Sequence, residues 1–202
     1  MSLQEAARDG KLLLVEGLLN ENPKLLLSKD LDDRTALHWA CSLQHTNIVQ
    51  ELLKPRGGKE VDIDDLVDGA GWNPLHITAS VGNCEIFDLL MGNSPQPTIN
   101  ETTNQGTTVL HLAASKNHYD LFKKAVEDYK ASTRIKDKMG YTPLIRAAST
   151  GSVRIVEFLI KKGVNLNTTD LEEWTALKHA DAEGWTDVVN LLKAAGALES
   201  VN

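Results

Sequence analysis

A short phrase recurs five times along the chain at intervals of 33 to 38 residues, and this repeat constrains the fold more than any other feature. The copies are Thr35-Ala36-Leu37-His38, Asn73-Pro74-Leu75-His76, Thr108-Val109-Leu110-His111, Thr142-Pro143-Leu144-Ile145 and Thr175-Ala176-Leu177-Lys178. Self-similarity at such a period is typical of proteins built from stacked supersecondary units. The sequence therefore predicts an elongated solenoid.

Each copy of the phrase predicts the start of a helix. Thr and Asn are favoured helix N-caps, because their side-chain oxygens accept a backbone N–H that has no partner within the helix. Pro fits the first helical turn, and the Leu that follows points into the core. The predicted ends of these first helices lie near Gln44, Gly82, Asn117, Gly151 and Gly184. Gly and Asn tolerate the left-handed conformation that ends a helix, so Gln44 is the exception.

Aligning the copies predicts an all-α single domain of about six stacked helix-turn-helix units with short β-hairpin loops. The predicted units are 1–29, 30–67, 68–102, 103–136, 137–169 and 170–202, and the first lacks the hairpin. Two connections are longer than the repeat needs, at residues 55–60 and 92–97. Both are rich in Gly, Pro and polar residues, which predicts surface loops.

The composition argues against several classes of partner. The chain has 28 acidic and 21 basic residues and a net charge of −7, so we expect neither nucleic-acid nor membrane binding. The N-terminal residues lack the pattern of a signal peptide. The two cysteines, Cys41 and Cys84, are not predicted to form a disulfide. This favours a cytoplasmic and nuclear location, and we expect the chain to be a monomer on its own.

His38, His76 and His111 do not predict a catalytic or metal site. Zinc ligands lie within a few ångströms of one another, whereas equivalent residues of stacked helices are about 8–10 Å apart. We interpret each imidazole as bonding backbone beside its own hairpin. No phosphate-binding motif is present, and no nucleophile has a base at a meaningful spacing. The sequence therefore predicts no enzyme activity, no cofactor and no metal.

The repeat also predicts which residues face a partner. One slot at the hairpin tips carries Arg34, Trp72, Tyr141 and Trp174, and aromatic residues and Arg dominate interface energies. The alternative is that the aromatics only pack on neighbouring hairpins. The charges are also uneven, since acidic residues crowd the first hairpins and basic residues crowd the fifth unit. The candidate protein-binding residues are Asp32, Arg34, Trp39, Asp68, Trp72, Lys116, Tyr141, Arg146 and Trp174.

The repeated phrase resembles T-P-L-H-x-A, the signature of ankyrin repeats. Two stretches are more particular: Arg34–Ser42 reads R-T-A-L-H-W-A-C-S, and Ala70–Ile77 reads A-G-W-N-P-L-H-I. Both resemble repeats of the gankyrin family, and Leu110–Asn117 is similar to a further repeat of that family. The resemblance runs in order over most of the chain.

This resemblance implies a function. Members of the gankyrin family are chaperones for assembly of the proteasome regulatory particle, and they bind the C-terminal domain of a base ATPase subunit along their concave face. The matching surface positions here would be Asp32, Arg34, Trp39, Trp72, Lys116 and Arg146. One alternative is an ankyrin adaptor or inhibitor that masks a kinase or transcription factor, and another is a scaffold subunit of an enzyme.

Overall fold

The computed structural model describes residues 1–56 and 60–200, which form two compact units, Met1–Asn104 and Gln105–Asn202. Three residues of a predicted surface loop (57–59) and the last two of the sixth predicted repeat (201–202) lie outside the described residues. The boundary between the two units falls close to the predicted boundary at 102/103. The organisation as a single domain stays a prediction.

The first unit contains three helix pairs. They are α1 (Leu3–Arg8) with α2 (Leu12–Glu21), α3 (Ala36–Ser42) with α4 (Thr46–Leu52), and α5 (Pro74–Val81) with α6 (Cys84–Met91). A 3-10 helix at Pro23–Leu27 follows α2. Helix α3 packs against both α1 and α5, while α4 packs against α2 and α6. The first helix of each pair therefore forms one layer and the second helix another.

The second unit repeats this arrangement. Its pairs are α7 (Val109–Ser115) with α8 (Tyr119–Glu127), α9 (Pro143–Ser149) with α10 (Val153–Lys161), and α11 (Ala176–Ala182) with α12 (Thr186–Ala194). Helix α9 packs between α7 and α11, and α10 packs between α8 and α12. Two layers of helices again enclose the core.

The predicted helix-turn-helix fold is confirmed. The described part of the chain has twelve α-helices and no named β-strand. The loops between repeats were predicted as short β-hairpins. Within the described residues they are formed by turns, with one isolated antiparallel bridge between Thr169 and Thr175. In four of these loops the backbone N–H of the first residue donates to the carbonyl oxygen four residues later, at 2.9 to 3.1 Å, and the side-chain hydrogen bonds described below add to this bond.

The predicted ends of the first helices are confirmed by the backbone. Gly82, Gly151 and Gly184 have φ angles of 80°, 68° and 75°, and Asn117 has 56°. Gln44 adopts the same left-handed conformation, with φ 59°. A non-glycine residue pays a steric penalty in this region, so the sequence identified Gln44 correctly as the exceptional cap.

The leucines of the repeated phrase lie in the core as predicted. Leu37, Leu75, Leu110, Leu144 and Leu177 are each 3% exposed or less. Alanines fill the spaces between them, and Cys41 is one of these small buried residues. Burial raises the pKa of the Cys41 thiol to about 12, because a thiolate is poorly solvated there. Cys41 is therefore a core residue, as the sequence predicted.

Candidate protein-binding surface

An aspartate at the start of the loop organises four of the loops between repeats. Its Oδ1 atom accepts hydrogen bonds from the backbone N–H groups two and four residues later, at 2.9 to 3.0 Å. These aspartates are Asp30, Asp68, Asp137 and Asp170. Asp side chains commonly close turns in this way. The carboxylate thus adds to the backbone hydrogen bond by which the N–H of the same aspartate closes each loop.

The second carboxylate oxygen of three of these aspartates accepts a hydrogen bond from the side chain of a candidate binding residue. Asp30 Oδ2 accepts from Trp39 Nε1, and Asp137 Oδ2 accepts from Arg146 Nη2, both at 2.7 Å. The donor lies nine residues after the aspartate in both cases. The residue nine after Asp68 is the apolar Ile77, so Asp68 Oδ2 instead accepts from Arg34 Nε at 3.1 Å. Loop closure and side-chain orientation therefore share one carboxylate.

Successive loop tips approach each other closely within each unit. Gly69 N donates to Asp32 O at 3.1 Å, and Leu171 N donates to Met139 O at 3.2 Å. At Gly140, with φ 80°, an added Cβ would lie 2.8 Å from Leu171 N, so only glycine fits there. Asp33 occupies the position equivalent to Gly140 in an earlier loop, and it carries a side chain. The residue of the next loop tip that approaches it is Gly69, which has none. The tips form a hydrogen-bonded row in each unit.

In the first unit, the predicted residues form a connected cluster around Arg34. Its guanidinium is paired with Asp68 and lies 5.2 Å from the ring centre of Trp39. The Asp68 side chain is 4% exposed, whereas that of Arg34 is 28% exposed. Trp72 is half-buried in the tip slot, and Asp32 is exposed at the loop tip. Arg34 is therefore held in one orientation while part of its guanidinium reaches solvent.

In the second unit, cationic and aromatic side chains alternate. Arg146 lies 4.5 Å from the ring centre of Tyr141, and Lys178 Nζ lies 4.4 Å from that of Trp174. The imidazole of His179 lies between the two aromatic rings, at 5.0 Å and 5.2 Å between centroids. The cations of the chain itself thus cover faces of both aromatic residues. The remaining predicted residue, Lys116, is exposed at the end of α7.

The nine predicted residues therefore differ in what they can offer a partner. Asp68 is buried, and its carboxylate is fully occupied within the chain. Arg34 and Arg146 are partly exposed and already oriented by aspartates. Asp32 and Lys116 are exposed, and their side chains have no ion-pair partner within residues 1–56 and 60–200. The four aromatic residues are half-buried, so each can offer a partner only part of its ring.

Sequence reasoning missed the role of His179. The structure places it inside α11, buried, with Nε2 2.7 Å from Asp170 Oδ2. Hydrogen bonds from Trp174 N–H and His179 lower the pKa of the Asp170 carboxyl even though burial acts to raise it. The spacing of nine residues, shared with Asp30–Trp39 and Asp137–Arg146, is the signal that could have identified this pair.

The comparisons with known proteins agree with this geometry. A family profile described as ankyrin repeats (3 copies) matches residues 3–101, 58–137, 77–170 and 110–201. The chain belongs to the ankyrin-repeat family. Among solved structures, an ankyrin repeat domain from Acinetobacter baumannii superposes with a TM-score of 0.81 at 24% identity, covering 97% of this chain and 98% of that one. The ankyrin repeat domain of Bcl-3 has a TM-score of 0.82 at 22% identity, covering 98% of this chain and 87% of its own.

Two relatives with similar sequences show which kind of ankyrin-repeat protein this chain resembles. The chain is 42% identical over 191 residues to a probable 26S proteasome regulatory subunit p28 of Saccharomyces cerevisiae, covering 94% of this chain and 82% of that protein. It is 39% identical over 159 residues to an ankyrin repeat-containing protein of Schizosaccharomyces pombe, covering 77% and 65% respectively. The predicted resemblance to the gankyrin type of ankyrin-repeat protein is confirmed.

Each histidine of the ankyrin phrase reaches the loop that follows its helix pair. His38 Nδ1 accepts a hydrogen bond from its own N-cap, Thr35 N, at 3.1 Å, while Nε2 lies 3.0 Å from Trp72 O in the next repeat. A carbonyl oxygen only accepts, so Nε2 must carry the proton. The sequence interpretation was right that the imidazole bonds backbone, but wrong to confine it to its own hairpin. His111 repeats the arrangement, with Nε2 bonded to Tyr141 O in the next repeat, whereas His76 Nε2 is bonded to Glu101 O at the end of its own predicted repeat.

These histidines predict a loss of stability in mild acid. Burial lowers the pKa of His38, His76 and His111 from the ordinary value of 6.5, because a buried imidazolium loses hydration. The unfolded chain then binds more protons than the folded chain below that value. We expect the free energy of unfolding to be at its full value above about pH 6.5 and to fall as the pH drops towards about 5.5.

Urea unfolding at pH values across this range measures the effect, and NMR of the imidazoles should show a larger fraction of the neutral Nε2–H form in the folded chain than in a free imidazole at about pH 6.5. Carboxylates with lowered pKa values act only at lower pH, so this window isolates the histidines. A free energy of unfolding that is constant or rises as the pH falls through it would contradict the assignment.

Asp137 provides a test of the loop architecture. Its carboxylate accepts from Met139 N, Tyr141 N and Arg146 Nη2. Asp137→Ala should reduce the free energy of unfolding by about 3 kcal/mol. This is the low end of the cost of breaking a buried ion pair, because the Arg146 side chain still reaches water. Asp32→Ala, at an exposed loop tip, is the matched control and should change it by less than about 0.5 kcal/mol. Equal losses in the two variants would show that the aspartate does not organise the loop.

Proposed function

We propose that the chain is a non-catalytic protein-binding chaperone for assembly of the proteasome regulatory particle, and that it binds the C-terminal domain of a base ATPase subunit. The observation that carries this proposal is the 42% identity to the probable 26S proteasome regulatory subunit p28, which extends over 94% of this chain and 82% of that protein. Its location would be cytoplasmic and nuclear, where proteasomes assemble.

The chemistry of the surface is suited to a charged protein partner. Arg34 and Arg146 are oriented by Asp68 and Asp137, so they lose little conformational freedom when they bind a partner carboxylate. Lys116 adds an exposed cation, and Asp32 adds an exposed acid for a basic group of the partner. Half-buried aromatic side chains beside these charges supply contact area. The partner should therefore present acidic side chains to the two arginines and Lys116, and a basic side chain to Asp32.

The mechanism we propose is steric. A chaperone bound to the C-terminal domain of the ATPase subunit would occupy space that the subunit needs when it docks on the proteolytic core. Docking would then be delayed until the regulatory particle is complete. Since this role needs only binding and release, the surface needs no catalytic residue. The described residues hold no group of three or more His, Cys, Asp or Glu side chains placed to bind a metal. The described residues also contain no helix long and apolar enough to span a bilayer.

The experiment that tests the function is affinity capture from cell extract followed by mass spectrometry. We expect base ATPase subunits and their neighbouring regulatory-particle subunits to be enriched, and the purified C-terminal domain of the enriched ATPase to bind the chain directly. Recovery of a kinase or transcription factor without proteasome subunits would support the adaptor or inhibitor reading instead. Binding that survives dilution into high salt unchanged would argue against the charged surface as its origin.

A further inference from the structure

A cavity of about 590 Å³ lies in the second unit and is lined by the ends of α8 and α10 and by the start of α9. Its volume falls within the roughly 300–1,000 Å³ that is usual for small-molecule sites. Part of its wall is apolar and is formed by Val126, Ala131, Leu144 and Val164. Of the nine candidate protein-binding residues, all of which the structure describes, none lines it. The cavity is therefore separate from the surface proposed to bind the ATPase.

Thr142 lines this cavity and carries a buried hydroxyl donor that the fold does not use. In two other copies of the repeated phrase, the equivalent hydroxyl of Thr35 or Thr108 lies 2.9 or 2.8 Å from Nδ1 of the phrase histidine. The fourth copy has Ile145 in place of that histidine, so this acceptor is absent. Thr142 is only 6% exposed, and its Oγ1 accepts from Ile145 N at 3.3 Å.

The hydroxyl proton of Thr142 therefore has no acceptor in the part of the chain that the structure describes. Buried side-chain polar groups in folded proteins are normally hydrogen-bonded, and a hydroxyl can both donate and accept. A donor left over at the wall of a cavity indicates a ligand that brings the acceptor.

The charges of the wall indicate the nature of that ligand. Arg134 lines the cavity with an exposed guanidinium that forms no ion pair with residues 1–56 or 60–200. The other cation of the wall, Lys162, is already paired with Glu127 at 2.9 Å. Among the described residues that line the cavity, none is acidic. The wall thus combines a free cation and a free hydroxyl donor with an apolar part.

We infer that this cavity binds a small organic carboxylate with an apolar body. The carboxylate accepts hydrogen bonds from the Arg134 guanidinium and the Thr142 hydroxyl, while the apolar body packs on Leu144 and Val164. Charge-assisted bonds from a guanidinium to a carboxylate are among the stronger ones in proteins. The net charge of the chain is −7, so non-specific attraction of anions is weak. This inference does not rest on the proposed chaperone function.

Titration of the isotope-labelled full chain with hexanoate, followed by two-dimensional NMR, tests the inference. Hexanoate should shift the amide signals of Thr142, Val164 and Thr168, with a dissociation constant of about 1 mM for so small a ligand. Hexanol has the same apolar chain without the charge and should bind at least about tenfold more weakly. Equal binding of the two probes overturns the inference. So does hexanoate that leaves these signals unshifted at a concentration about tenfold above that constant.

Two matched pairs of variants test the assigned residues. Arg134→Gln should weaken hexanoate binding at least about tenfold. Lys138→Gln removes the same charge from an exposed loop residue outside the cavity and should leave binding unchanged. Thr142→Asp and Thr142→Asn both keep a favoured helix N-cap, but the Asp variant places an acid in the cavity. It should bind hexanoate at least about tenfold more weakly than the Asn variant.

Melting temperatures of all four variants show whether a loss of binding comes from a loss of folding. Folded Arg134→Gln that binds hexanoate as well as the unmodified chain overturns the inference. Equal binding by folded Thr142→Asp and Thr142→Asn overturns it as well.

Discussion

The double charge reversal Asp32→Lys with Lys116→Glu is expected to weaken binding of the ATPase C-terminal domain by about 100-fold or more, because each reversal sets like charges against each other. Both residues are exposed, and neither is part of an ion pair within the described residues. The helix content and melting temperature should therefore stay close to those of the unmodified chain. Isothermal titration at physiological salt measures the change.

A second double reversal provides a matched control. Glu157 and Lys161 form an ion pair on α10, a second helix, and exchanging their charges keeps both the pair and the net charge. Asp32→Lys with Lys116→Glu also leaves the net charge unchanged. Glu157→Lys with Lys161→Glu should bind as well as the unmodified chain. If both double variants bind normally, the loop tips and first helices are not the binding surface.

The arginines are less suitable for such a test. Arg34 neutralises the nearly buried carboxylate of Asp68, so reversing its charge would leave two acids side by side and destabilise the loop. Loss of binding in an Arg34 variant would then mix an interface effect with a folding effect. Charge reversal at Asp32 and Lys116 separates the two.

Leu110→Ala is expected to reduce the free energy of unfolding by about 2–5 kcal/mol. Leu110 is fully buried in α7 of the second unit, and the cavity left by truncation adds to the lost transfer energy. The damage should extend to neighbouring repeats of that unit, because each repeat is supported mainly by contacts with its neighbours. Chemical denaturation followed by circular dichroism gives the change in stability.

Leu171→Ala is the control for this truncation. Leu171 lies in the same unit but is 74% exposed at a loop tip, so its truncation should cost less than about 0.5 kcal/mol. A loss below about 1 kcal/mol for Leu110→Ala would contradict the assignment of the repeated leucine to the core.

The sequence was sufficient to predict the repeat architecture because each repeat carries the same local signals. The N-cap before each first helix, the core leucine and the left-handed cap all lie at fixed offsets, and the backbone at Gln44 follows its neighbours despite its side chain. Whether the loops between repeats contain β-strands could not be predicted from these local signals. Four of the loops are closed by a backbone hydrogen bond and a carboxylate hydrogen bond between the same two residues four apart, so a single residue pair joins the two sides of each loop.

The sequence named candidate binding residues but did not predict which of their charges are already paired within the chain. Arg34 and Asp68 were both among the candidate binding residues, yet the repeat spacing gave no indication that they pair with each other across 34 residues. Which charges are free for a partner depends on such pairings, and these depend on side-chain geometry. The same limit applies to His179, whose bond to Asp170 requires both the helix face and the loop closure to be known.

Hydrogen–deuterium exchange of the chain with and without the purified C-terminal domain of the base ATPase is the most direct test of the proposed function. We predict new protection at the loop tips and first helices around Asp32, Trp72, Lys116 and Tyr141, with α8, α10 and α12 unchanged. Protection confined to the second helices, or none at a saturating concentration of the domain, would contradict the proposal.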